Sequence, residues 1–151
     1  FGLGEVFVFV FFGLVATIGT YYVQVEEISR NSILAAIPMG TFACALLAIN
    51  NIRDRAQDEK VGKKTLAVRL GDRGARRLFA VLIIVGYLSA LAIGKPLILL
   101  TLVTAPLALS LLRGVLGQAQ GRELIPLLAK TGQLQLLFAL TFSLSLVLSH
   151  G

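Results

Sequence analysis

Five apolar blocks separated by polar stretches organise this chain. They run Val6–Val25, Ile33–Ile49, Leu78–Gly94, Pro96–Leu112 and Gln133–Leu148. A membrane-spanning helix needs roughly 20 apolar residues, within a working range of about 17–25. The first block meets that length, and the others sit near its lower limit and can borrow flanking residues. Lipid offers no partner for unpaired backbone groups, so each block is expected to be helical. Ten-residue segments of alternating polarity are missing, which argues against a β-barrel. Between the third and fourth blocks, Gly94-Lys95-Pro96 predicts a hairpin rather than one long helix. The expected fold is therefore all-α: a polytopic transmembrane helix bundle of five spans, forming a single transmembrane domain over residues 1–151.

Composition agrees. The 151 residues are 56% hydrophobic and 15% charged, against about 45–50% and about 25% in soluble domains, and mean hydropathy is +0.85. The net charge of +6 and isoelectric point near 10.0 would suggest nucleic acid as a partner of a soluble protein. Here Lys and Arg lie between apolar blocks, which points to membrane orientation and to anionic lipid or substrate, not nucleic acid. The segment 50–77 holds Arg53, Arg55, Lys60, Lys63, Lys64, Arg69, Arg73, Arg76 and Arg77, and the stretch before the fifth block adds Arg113, Arg122 and Lys130. Only Arg30 and Lys95 fall on the other side if all five blocks span. A split of 12 against 2 predicts a cytoplasmic loop at 50–77, with the amino end inside and the carboxyl end outside. The single Cys44 can form no internal disulfide and is expected to be a buried, inert thiol.

The chemistry is concentrated in N-N-I-R-D-R-A-Q-D-E-K-V-G-K-K-T-L-A-V-R-L-G, Asn50 to Gly71. If the second helix continues into it, Asn50, Asp54 and Asp58 recur at i, i+4, i+8 on one face, with Asn51 close by, and Gly62 is a natural stop. Like charges one turn apart call for a compensating cation. Mg²⁺ takes oxygen ligands, often one or two carboxylates plus substrate phosphates. Lys63, Lys64 and Arg69 could carry the remaining phosphate charge. A solvated connector, with Arg53, Arg55 and Lys60 satisfying the aspartates without metal, is the alternative reading of the spacing.

The order of residues in this run resembles the second aspartate-rich motif of the UbiA superfamily of intramembrane prenyltransferases, most closely its menaquinone branch, which acts on 1,4-dihydroxy-2-naphthoate. Gly2-Leu3-Gly4-Glu5 and Gly19-Thr20-Tyr21-Tyr22-Val23-Gln24 also look like that branch. The resemblance covers roughly the first half of the chain, and the last three blocks match only in hydrophobic pattern. It implies nine transmembrane helices around a cavity open to lipid. It also implies two cytoplasmic aspartate-rich motifs that bind Mg²⁺ and the diphosphate of a polyprenyl donor. By that resemblance Asp54 and Asp58 are the metal-binding, catalytic carboxylates, Asn50 and Asn51 the amide positions, and Lys63, Lys64 and Arg69 the basic residues near the diphosphate. The implied reaction is prenyl transfer to the naphthoate with decarboxylation, giving demethylmenaquinol in a bacterial cytoplasmic membrane.

The first aspartate-rich motif is absent and the chain opens at Phe1. This carries the expectation of a carboxyl-terminal half, inactive alone, whose partner is the amino-terminal half of the same enzyme. Glu5, at the cytoplasmic end of the first span, could orient ring hydroxyls or accept a proton, or be a plain interfacial charge. Tyr21 and Tyr22 suit an aromatic belt or the wall of a prenyl tunnel. Phe7, Phe9, Phe11 and Phe12 suit lipid or neighbouring helices. Lys130 reads as a snorkelling residue and His150 as incidental. Two other functions stay open: a sister transferase acting on another aromatic acceptor, and an ion-coupled transporter subunit, whose acidic residues should sit near mid-membrane.

Overall fold

The computed structural model describes residues 2–117 and 119–149, so His150 lies outside the described residues. Five helices in it are long and apolar enough to cross a membrane: α1 Gly4–Val25, α2 Arg30–Lys60, α3 Leu66–Leu91, α4 Pro96–Leu116 and α5 Gly121–Leu148. No strand forms among the described residues. The chain is an integral membrane protein with an all-α architecture.

Local chemistry sets the helix ends. Before α2, the Ser29 hydroxyl accepts from the Ser32 amide at 3.0 Å while the Ser32 hydroxyl accepts from the Ser29 amide at 3.2 Å, a reciprocal cap. Gly62 stops α2 in the left-handed region at φ +74. Thr65 caps α3 by accepting from the Val68 amide. Gly94, at φ +78, and Pro96 make the expected hairpin between α3 and α4. The first residues of α4, Pro96–Thr104, are wound as a 3₁₀-helix.

α2 is the centre of the bundle and α1 its least covered member. The two cross backbone to backbone, since a Cβ on Gly13 would come within 2.6 Å of the Gly40 Cα. Small residues allow such approaches where apolar burial gives no drive between helices. An aromatic cluster ties the rest together. Phe42 of α2 meets Phe138 of α5 at 4.3 Å between ring centroids, and Tyr87 of α3 packs edge-on against both. The Tyr87 hydroxyl then shares a 2.6 Å hydrogen bond with Thr104 of α4.

All neighbours in sequence run antiparallel. Glu5 lies beside Asn51, and Arg76 beside Val115, so these four residues mark one end of the bundle. Lys95 reaches the Ser149 carbonyl at the other end. Each of the five blocks therefore crosses, and the basic residues divide between the ends as expected. The helices, however, outrun the apolar blocks. The stretch 50–77, expected as a loop, is helical except for Val61–Thr65 and a break at Gly71 (φ +68). Hydropathy marks only the part of a helix that meets lipid, and Arg, Ala, Gln, Glu and Lys extend a helix readily in water.

Buried Arg76, 5% exposed, closes the polar end. Its Nε donates to Asp72 at 2.7 Å. Its two terminal nitrogens donate to the carbonyls of Val115 at 2.6 Å, Gly117 at 3.1 Å and Ala119 at 2.7 Å. A single guanidinium thus caps the orphan carbonyls of α4 and pins the α4–α5 turn to α3. Replacing Arg76 with Met should cost about 3 kcal/mol, because several charge-assisted hydrogen bonds are lost together. Thermal unfolding in detergent, followed by circular dichroism, should show a lowered midpoint; an unchanged midpoint would contradict this role.

Candidate functional site

The site is built on the polar end of α2. At 1.5 Å per residue its 31 residues span roughly 46 Å,, more than the roughly 30 Å of hydrocarbon in a bilayer. The charged final turns therefore project beyond the lipid. On that projection Leu47, Asn51, Asp54 and Asp58 fall within about 60° of arc, so one face carries an apolar residue, an amide and two carboxylates in ascending order.

The start of α1 closes on this face. Glu5 is buried, at 8% exposure, and its Oε1 accepts from the Asn51 amide nitrogen at 3.0 Å. The Cys44 thiol, buried and free as expected, donates to the Glu5 backbone carbonyl at 3.1 Å and so helps hold the carboxylate in place. From the other side, the turn at Gly62 brings Lys63 back over α2. Its amide donates to the Asp58 carbonyl at 2.9 Å and its Nζ lies 3.1 Å from Asp58 Oδ1. Gly2 approaches so closely that a Cβ there would sit 2.8 Å from the Lys64 carbonyl and 3.2 Å from Arg69 Nε. A cavity of about 630 Å³ results, with Glu5, Asn51, Lys63 and Lys64 at its polar edge and Phe7 and Leu47 in its apolar wall. That volume suits a small-molecule ligand.

A second cavity of about 580 Å³ lies between α1, α2 and α5, lined by Val8, Phe12, Ala43, Leu46 and Leu128 with Asn50 and Gln135. Leu47 borders both cavities. The structure thus separates the two amides predicted as neighbours: Asn51 faces the first cavity and Asn50 the second. Lys63 and Lys64 join the first cavity, whereas Arg69 covers the backbone of Gly2 beside it. Thr65, which seats both lysines by capping α3, was not singled out in the sequence, although a Thr directly before L-A-V is a helix-start signal. The Glu5–Asn51 pair spans 46 positions, and no local pattern announces it.

Both aspartates already face a cation. Arg53 Nε and NH2 donate to the two oxygens of Asp54, each at 2.7 Å, while Lys63 serves Asp58. The Arg53 guanidinium holds the Asp54 carboxyl below the usual carboxylate range. As metal ligands the residues are suitable in kind. Asp54, Asp58 and Asn51 present hard oxygen donors on one face, as Mg²⁺ requires. No group of three His, Cys, Asp or Glu assembles among the described residues. These ligands fit an ion that takes the rest of its shell from phosphate and water.

The UbiA prenyltransferase family matches residues 1–125. The chain belongs to this family. It is 43% identical over 141 residues to a 1,4-dihydroxy-2-naphthoate octaprenyltransferase of Mycobacterium tuberculosis, covering 92% of this chain and 48% of that protein. The enzyme of the same name from Haemophilus influenzae is 41% identical, over 97% of this chain and 49% of the relative. UbiA prenyltransferase domain-containing protein 1 of Homo sapiens is 32% identical, over 97% and 43%. The chain spans about half the length of the curated relatives it matches. Membership in this family, and carboxylates on a projecting helix end rather than at mid-membrane, both weigh against the transporter reading.

The depressed Asp54 pKa has a definite sign. The pair's contribution to stability is present above the unfolded pKa of about 3.9 and is lost as pH falls through the lower folded value. It is modest, because the Asp54 side chain is 40% exposed,. In Arg53→Met the Asp54 midpoint should rise toward about 3.9. An infrared titration of the carboxyl band, assigned with Asp54→Asn, reads this directly; an unmoved midpoint would remove Arg53 as the cause.

Proposed function

We propose that this chain supplies one half of the active site of a Mg²⁺-dependent prenyltransferase. The enzyme would move a polyprenyl group from polyprenyl diphosphate to 1,4-dihydroxy-2-naphthoate, with loss of the carboxylate, giving demethylmenaquinol. The observation that carries this reading is the ascending face Leu47, Asn51, Asp54, Asp58, closed by Glu5 and the two lysines. It orders an apolar wall, a polar acceptor contact and a diphosphate clamp along one line. The bacterial relatives carry that acceptor in their names, which favours it over another aromatic acceptor. The basic bias of this end supports placing it in the cytoplasm.

In this reading Asp54 and Asp58 hold Mg²⁺, which when bound neutralises charge on the departing diphosphate. Lys63, Lys64 and Arg69 take up the remaining phosphate charge, which grows as the allylic C–O bond breaks. Arg53 and Lys63 hold the two carboxylates in place before substrate arrives. Glu5, oriented by Asn51, accepts a proton from a ring hydroxyl of the acceptor. This raises electron density at the ring carbon that forms the new C–C bond as diphosphate leaves. Asn50 stands at the polar edge of the second cavity, whose apolar wall suits a prenyl chain. Phe7 and Leu47 exclude water that would otherwise trap the allylic fragment. The facing jaw of the clamp comes from the remainder of the enzyme, in keeping with the half-length match.

In the full-length protein, Asp54→Asn or Asp58→Asn should lower Mg²⁺-dependent prenyl transfer by at least about 100-fold. A correctly inserted double variant with near-normal turnover would sink the diphosphate assignment. Glu5→Gln should lower kcat at least about 100-fold while leaving donor KM in place. A Glu5→Gln enzyme with near-normal kcat would return Glu5 to a structural role.

A further inference from the structure

On the side of α2 away from Asp54 and Asp58 lies a separate polar cavity of about 460 Å³. Ile52, Arg53, Arg55 and Ala56 of α2 line it, with Asp72 and Arg76 of α3, and Gln120, Gly121 and Leu124 at the start of α5. Ile52 and Leu124, 4% and 1% exposed, give it an apolar floor. Three guanidinium groups and one carboxylate border it, an excess of positive charge.

The arginines differ in how far they are committed. Arg76 is spent on Asp72 and three carbonyls and contributes charge to the wall. Arg53 uses Nε and NH2 on Asp54, and its NH1 has no protein partner among the described residues. Arg55 makes one contact, to Glu59 at 3.4 Å, on a side chain that is 63% exposed. A pair that long and that wet contributes little. The cavity thus holds three guanidinium groups against one lining carboxylate, Asp72, with Arg53 NH1 and most of the Arg55 fork left to a ligand.

We propose that this cavity binds the phosphate of an anionic lipid headgroup. Guanidinium groups suit phosphate oxygens in charge and in geometry. The cavity lies where the polar turns of α2 leave the hydrocarbon, beside the first turn of α5, so a headgroup reaches it without leaving the bilayer plane. Its apolar floor suits the glycerol end of a lipid better than a fully hydrated ion. The basic end of the bundle also draws anionic lipid toward it. The site opens on the other side of α2 from the diphosphate clamp, shares only Arg53 with it, and holds whether or not the chain transfers prenyl groups.

The test is lipid retention by the full-length protein taken from mixed phosphatidylglycerol and phosphatidylcholine nanodiscs, read by native mass spectrometry. The wild type should keep phosphatidylglycerol preferentially, and Arg55→Gln should lower that retention about fivefold, the effect of one basic residue at an anionic surface. Arg113→Gln, an equal loss of charge outside the cavity, should leave it near the wild-type level. An equal drop in both variants, or none in Arg55→Gln, would overturn the site. So would displacement of the lipid by excess inorganic phosphate, which would make free phosphate the ligand. Unchanged thermal midpoints confirm that both variants fold.

Discussion

The structure depends on a mismatch of length: α2 is longer than the membrane is thick. A helix confined to hydrocarbon could not carry two unshielded carboxylates, because each would lose its hydration without an adequate return. By continuing to Lys60 without a break, α2 carries Asp54 and Asp58 beyond the hydrocarbon, Asp54 half-exposed and Asp58 buried against Lys63, while Leu47, about two to three turns below, still faces lipid-level packing. One rigid element therefore holds the polar and apolar parts of the site at fixed spacing. Rigidity comes from below, where Gly40 lets α1 lie against α2 and Phe42 is locked between Phe138 and Tyr87.

The rest of the polar end answers the charge that this projection creates. Arg53 and Lys63 balance the aspartates, the Gly62 turn returns Lys63 and Lys64 to the same face, and Arg76 caps α4 so that α5 can begin beside α2. Glu5 is, after Asp58, a second buried carboxylate, kept inside the bundle at a helix start, hydrogen-bonded by an amide and lying beside two lysines. A buried acid held by neutral and cationic neighbours at a cavity edge has the character expected of a functional group. In the proposed reaction this carboxylate is the proton acceptor.

Much of this was legible from residues alone. Hydropathy located five crossings because lipid punishes every unpaired backbone group, and the Gly94–Pro96 hairpin followed from two residues that cannot continue a helix. The i, i+4 recurrence of Asp54 and Asp58 became a shared face once the helix continued. Hydropathy could not place the helix ends, since Ile49 ends the apolar block eleven residues before Lys60 ends the helix. Long-range pairings stayed hidden as well. Nothing near Glu5 in the chain names Asn51, and nothing near Arg76 names the carbonyls at Val115, Gly117 and Ala119. The split of Asn50 and Asn51 between two cavities depends on where α1 and α5 settle, which periodicity does not encode.

The claim that this face is one jaw of a metal-dependent diphosphate clamp is tested most directly by binding rather than turnover. A non-hydrolysable thiolodiphosphate analogue of the donor can be titrated onto the full-length protein by calorimetry, with Mg²⁺ and with EDTA. Affinity should rise at least about tenfold with Mg²⁺, in keeping with phosphate-assisted coordination, and that gain should vanish in Asp58→Asn. Equal binding in Mg²⁺ and EDTA, or a full Mg²⁺ gain in the Asp58→Asn protein, would contradict it.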